Sequence, residues 1–105
     1  MSTDNFVLRT VYIDPDLDDL LMAEALRTKT SKAELFRYYL ATGILAAKSE
    51  PALFNTMAPL SKCVLVLRTV YLDPALDNAL RIEAFDTRTN KNDLIRLYLR
   101  LGTTF

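Results

Sequence analysis

Two triplets of side chains, one in each of two near-identical octets, carry most of the polar and apolar chemistry this sequence can present on a strand. The octet Leu8-Arg9-Thr10-Val11-Tyr12-Ile13-Asp14-Pro15 returns as Leu67-Arg68-Thr69-Val70-Tyr71-Leu72-Asp73-Pro74. Val, Leu, Thr and Tyr dominate it, no Gly or Pro interrupts it, and the closing Asp-Pro marks the next element, so each copy reads as a strand. Alternation places Val7, Arg9, Val11 and Ile13 on one face and Leu8, Thr10 and Tyr12 on the other. Val11 and Ile13 must join the core, so Leu8, Thr10 and Tyr12, with Leu67, Thr69 and Tyr71, turn outward. Hydroxyls that donate and accept, flanked by leucine methyls, suit binding rather than bond-making. Arg9 and Arg68 fall on the inward parity near the strand start, where each can either snorkel round the edge to an anion or pair with an acid.

A second set of residues sits where anions bind. Ser31-Lys32-Ala33-Glu34 has the spacing of a capping box, and Asn90-Lys91-Asn92-Asp93 repeats it with another capping residue and acid. The helix beginning at each presents unpaired N–H groups and a positive dipole end. Lys29 and Arg88 in the preceding turns add charge. For a lone helix these would be ordinary caps with solvated lysines; their occurrence twice favours an anion-binding role.

Catalytic and metal chemistry find no foothold. His is absent, so the commonest general base is missing, and no nucleophile–base pair, phosphate loop or metal-ligand set occurs. The run Asp14, Asp16, Asp18, Asp19 looks like a cation cluster, yet a helix start explains it: Asp14 caps, Pro15 takes the first helical position, and the acids favour the positive dipole end. Cys63 is the one cysteine and reads as a small apolar residue entering the second strand. Tyr38, Tyr39 and Phe36 lie at core spacing, with Tyr38 at the rim. The expectation is a protein that is not an enzyme and takes no cofactor, metal or small-molecule substrate.

The elements that must hold these residues come in two copies. At an offset of 59, Val7–Gly43 and Val66–Gly102 share 21 identities over 37 positions, so both halves should fold alike. Leu17, Leu20, Leu21 and Ala25 make the stripe of a first helix, answered by Leu76, Leu80 and Ala84. Leu35, Phe36, Tyr39, Leu40 and Ile44 give a second helix a wide apolar face, answered by Leu94, Ile95, Tyr98 and Leu99. Each half reads as strand, helix, helix. Residues 6–47 form the first repeat, 48–63 a linker with Pro51 and Pro59, and 64–103 the second repeat; Leu53, Phe54 and Met57 suggest that part of the linker docks on the core. One strand with two helices cannot satisfy its edges or bury its faces alone, so the two strands are expected to pair antiparallel over four helices.

The strand, the acidic Pro-containing helix start and Ser31-Lys32-Ala33-Glu34-Leu35-Phe36-Arg37 together resemble the ribbon-helix-helix family of Arc- and MetJ-type repressors. The resemblance covers about 75 of 105 residues, and two copies in one chain look like the arrangement in TraY-type accessory proteins of conjugative plasmids. It implies a mostly α fold with a two-stranded antiparallel β-ribbon, arranged as a tandem pseudo-dimer. It further implies a sequence-specific double-stranded DNA-binding protein, a transcriptional regulator or a plasmid or phage accessory factor, with the ribbon in the major groove. By that resemblance Leu8, Thr10, Tyr12, Leu67, Thr69 and Tyr71 contact bases, and Arg9, Lys29, Ser31, Lys32, Arg68, Arg88, Asn90 and Lys91 contact phosphates. One ribbon touches only a few base pairs, so self-association into dimers on DNA is expected for tight binding.

The sequence departs from the commonest family pattern, which puts Arg, Lys, Asn or Gln on the outward face. Thirteen basic residues against thirteen acidic give no bulk sign of a polyanion partner. The alternative is a protein-interaction module, antitoxin-like or a scaffold, using the apolar ribbon face. No apolar run reaches membrane-spanning length and no secretory leader is legible, so the expected location is the cytoplasm and no membrane partner is expected.

Overall fold

The computed structural model describes residues 5–53, 60 and 63–104. Within them lie strand β1 (Val7–Ile13), helices α1 (Pro15–Thr28) and α2 (Lys32–Ser49), strand β2 (Val66–Leu72), and helices α3 (Pro74–Thr87) and α4 (Lys91–Thr103). The two strands form one antiparallel sheet, with Thr10 opposite Thr69 at its centre, Leu8 opposite Tyr71 and Tyr12 opposite Leu67. The fold is thus mostly helical with a single two-stranded ribbon. Phe54 and Met57 lie outside the described residues, while Leu53 packs partly against the core.

The period-2 pattern decides which face of the ribbon closes. Val11, Ile13, Val70 and Leu72 are buried, with Leu17 and Leu21 from α1, Leu80 from α3, Phe36 and Leu40 from α2, and Leu94, Ile95, Tyr98 and Leu99 from α4. Burying such side chains contributes roughly 1.5–3 kcal/mol each. The outer helices present less apolar surface inward: Leu20 is exposed, and Ala25, Leu76 and Ala84 are half-buried.

α2 and α4 form the centre of the helical layer, and glycine sets their separation. A Cβ built on Gly43 falls 1.8 Å from the Tyr98 carbonyl oxygen, and one on Gly102 falls 1.8 Å from that of Tyr39. No side chain fits there. Gly102 is therefore a contact residue inside α4.

The turns between helices are short because of one backbone conformation. Lys29 and Arg88 both adopt the left-handed region, φ 56° and 54°, where their N–H groups reach back to the preceding helix. Thr30 N–H likewise donates to Ala25 O at 3.2 Å and Thr89 N–H to Ala84 O at 2.9 Å. Glycine is the usual residue at such a helix end, and a side chain there carries a conformational cost. Ser31 then caps α2, accepting from Glu34 N–H at 3.1 Å, and Asn90 caps α4, accepting from Asn92 N–H at 2.7 Å.

Asp14 corrects one expectation. It occupies the cap position of α1 but its side chain makes no capping hydrogen bond, because the carboxylate is turned into the protein toward Arg96 and Arg100 of α4. Its counterpart Asp73 does cap, accepting from Ala75 N–H at 2.8 Å. Cys63 is a second correction: it is exposed and precedes β2 rather than being buried in it. Its position ahead of the hydrogen-bonded register leaves it outside the alternation that buries Val70 and Leu72.

Candidate functional site

The outward face of the ribbon is a compact set of six side chains. Leu8 and Leu67 are each 51% exposed and Tyr12 and Tyr71 each 49%, with Thr10 and Thr69 exposed between them. Cross-strand register sets each Leu against the opposite strand's Tyr, so at either end of the face leucine methyls lie beside a phenol, with the two threonines between. The face holds no charged or amide side chain.

Helices α2 and α4 brace the ribbon edges at their beginnings. Asn92, in the first turn of α4, accepts from Tyr12 N–H and donates to Tyr12 C=O, both at 2.9 Å. Its amide thereby serves the strand edge as a neighbouring backbone would. On the other edge, Arg37 of α2 donates to Tyr71 C=O at 3.1 Å and lies over the Phe6 ring. Sequence reasoning missed both braces. Asn92 stood in a capping segment, and its counterpart Ala33 cannot make the same bonds, so the repeat gave no signal for it.

The candidate phosphate-binding residues divide into two groups. Lys29 and Arg88 are exposed and hold no ion pair among the described residues, and Ser31 and Asn90 occupy the caps beside them. Arg9, Arg68, Lys32 and Lys91 are instead engaged by acids. Arg9 pairs with Asp77 at 3.1 Å and Arg68 with Asp18 at 2.9 Å, each joining a strand of one half to a helix of the other. Lys32 and Lys91 hydrogen-bond the same two aspartates, Asp18 and Asp77. The basic starts of α2 and α4 are thus drawn to the acids of the preceding helices, the lysine side chains reaching back to Asp18 and Asp77.

Burial pushes the carboxyls of Asp14, Asp18 and Asp77 up. Hydrogen bonds from Arg96 and Arg100 to Asp14, from Arg68 and Lys32 to Asp18, and from Lys91 and Arg9 to Asp77 outweigh it, so all three titrate below the usual carboxylate range. A carboxyl depressed in the folded state stabilises the fold above its unfolded pKa, and that contribution is lost as pH falls through the folded value. Stability should therefore hold from neutrality to about pH 4 and decline below it. Urea midpoints across that range would show the acid limb, and the Asp18→Asn/Asp77→Asn double variant is expected to flatten it.

A pocket of about 250 Å³ opens against the ribbon, lined by Ile13, Lys32, Phe36, Arg68, Thr69 and Val70 among others, and a larger one lies away from it. A groove of about 470 Å³ between α2, α3 and α4 is lined by Ala47, Lys48, Leu94, Leu97 and Tyr98 among others. Its acid, Glu83, accepts a hydrogen bond from the Tyr98 hydroxyl, and burial together with that acid raises the phenol's pKa. Among the described residues, no group of three or more His, Cys, Asp or Glu could hold a metal ion, and no helix is long and apolar enough to cross a membrane.

Comparison with models of protein families, with curated proteins and with solved structures finds no match to this chain.

Proposed function

We propose that this chain is a tandem ribbon-helix-helix protein that binds double-stranded DNA, with the two repeats acting as an intramolecular pseudo-dimer. It would serve as a transcriptional regulator or a plasmid or phage accessory factor. The observation that carries this reading is the ribbon: two strands, one from each repeat, closed on the inner face and open on the outer, with a helix start bracing either edge. A two-stranded ribbon matches the width of the major groove, where its outward side chains meet base edges. The N-termini of α2 and α4, with Lys29 and Arg88 beside them, are then available to the phosphate backbone.

Those left-handed basic residues support the reading. A lysine and an arginine stand at equivalent turns where glycine would cost less, which is expected if the side chains serve a function at some cost in stability. Salt dependence tests the proposal. Two free cations predict a log–log slope of affinity against salt of about −2, steepening toward about −4 if Lys32 and Lys91 leave their aspartates for phosphates. A gel-shift series should show that slope; no duplex binding at low salt would remove the proposal.

A second reading, a protein-interaction module, draws on the same face. Its leucines and tyrosines are half-exposed, and four nearby cations are paired with acids, Arg68 and Lys32 sharing Asp18 and Arg9 and Lys91 sharing Asp77. That reading predicts a ribbon-dependent protein partner and no salt-sensitive duplex binding.

A further inference from the structure

Resting on the DNA-binding reading above, we propose that the ribbon selects its site by the 5-methyl groups of pyrimidines, with Leu8 and Leu67 each covering one methyl in opposite arms of a short inverted repeat. Guanidinium and amide groups, which form the bidentate contacts that distinguish guanine and adenine, are missing from the outward face. The four large side chains there are Leu8, Tyr12, Leu67 and Tyr71, at 51%, 49%, 51% and 49% exposure. Inserted into the groove, a leucine finds one apolar group among the base edges, the thymine methyl. The hydroxyls of Thr10, Thr69, Tyr12 and Tyr71 both donate and accept, so they satisfy polar edges without choosing strongly between them.

Register sets the spacing of the two methyls. Leu8 lies opposite Tyr71, and Leu67 opposite Tyr12, four residues along β1. At about 3.3 Å per residue that is about 13 Å, or about four base-pair steps at about 3.4 Å each. Thr10 and Thr69 face each other at the midpoint, so the site should read alike from both ends, with thymines about four steps apart on opposite strands.

The readout should follow the methyl rather than the base. Burying one methyl is worth about fourfold in affinity, so losing both should cost about fifteenfold. The test begins with selection from a randomised duplex pool at low salt by the full chain. The enriched duplex is then remade with uracil, which lacks the methyl, or with 5-methylcytosine paired to guanine, which keeps it. Uracil in both arms is expected to weaken binding about fifteenfold, 5-methylcytosine to retain most of it, and Leu8→Ala/Leu67→Ala to bind thymine and uracil duplexes equally. Both leucines are half-exposed, so that variant should fold, and circular dichroism checks this. Enriched duplexes lacking thymine in both arms, or equal binding of thymine and uracil duplexes by the unaltered chain, would overturn the methyl readout while leaving DNA binding intact. A pool from which sequences are retained without enrichment would overturn the methyl readout alone; one from which no duplex is retained would overturn DNA binding, and this inference with it.

Discussion

Gly43→Ala is expected to destabilise the fold by about 2–3 kcal/mol, although alanine is the better helix former. The added Cβ would lie 1.8 Å from the Tyr98 carbonyl oxygen, with Gly102 N a further close neighbour at 3.0 Å. Both are backbone atoms, and backbone inside a helix cannot swing aside. Relief therefore requires α2 and α4 to move apart along their whole contact, loosening the packing of Leu40, Tyr98 and Leu99. The helix-propensity gain of about 1 kcal/mol offsets only part of this. Gly102→Ala should behave alike, because its Cβ meets the Tyr39 carbonyl at the same 1.8 Å. Once one substitution has separated the helices the second costs less, so the double variant should lose less than the sum of the two. Urea unfolding of the three variants measures all of this; midpoints unchanged from the parent would mean that the helices do not approach so closely.

Asp14→Asn should cost about 3 kcal/mol, whereas Asp73→Asn at the equivalent position should cost less than about 1 kcal/mol. Asp14 is 2% exposed and Arg96 6%. Arg96 Nε reaches one Asp14 oxygen at 2.6 Å, and Arg100 Nη2 reaches the other at 3.0 Å. Removing the carboxylate charge leaves the buried Arg96 guanidinium without the counter-charge of Asp14, in surroundings where water cannot replace it. Asp73 is exposed and its side chain caps α3, which asparagine does nearly as well. Thermal or urea unfolding of the two variants side by side gives the contrast directly. Equal losses would mean that the Asp14 pairs contribute no more than a helix cap.

The repeated octet was enough to expect an antiparallel ribbon, since alternation identifies the face to be buried and each half lacks a partner for its strand edge. The helix starts were legible too, because Pro15, Pro74, Ser31 and Asn90 act within one turn of where they stand. The partners of Asp14 were hidden. Asp14 and Asp73 sit in nearly the same local sequence, and they differ far away in the chain: Arg96 and Arg100 reach Asp14, whereas in the first half Arg37 turns to the Tyr71 carbonyl and Ala41 stands where Arg100 does. Gly43 and Gly102 repeat at the same offset, but a close helix approach is a property of two segments, and neither segment signals it alone. Arg9 and Arg68 could reach an anion or an acid by local pattern; the fold brings Asp77 and Asp18 to them from the opposite halves. Asn92 is paired with the Tyr12 backbone only because α4 lies against β1.

The same asymmetry bears on the proposed interface. One ribbon edge is held by an amide bonded twice to the Tyr12 backbone and the other by a single arginine bond to Tyr71. The outward side chains nonetheless match closely in exposure across the repeat, so the halves differ in how the face is supported and agree in what it presents.

The most direct measurement of duplex recognition by the ribbon is a fluorescence-anisotropy titration at about 50 mM salt, comparing the unaltered chain with Thr10→Asp. Thr10 is exposed at the ribbon centre opposite Thr69, so the new carboxylate should leave the fold intact while facing the groove's acceptors and the phosphates. Binding by the unaltered chain and a loss of at least about a hundredfold in the variant is the predicted result. Equal binding by both, or none by the unaltered chain, would contradict it.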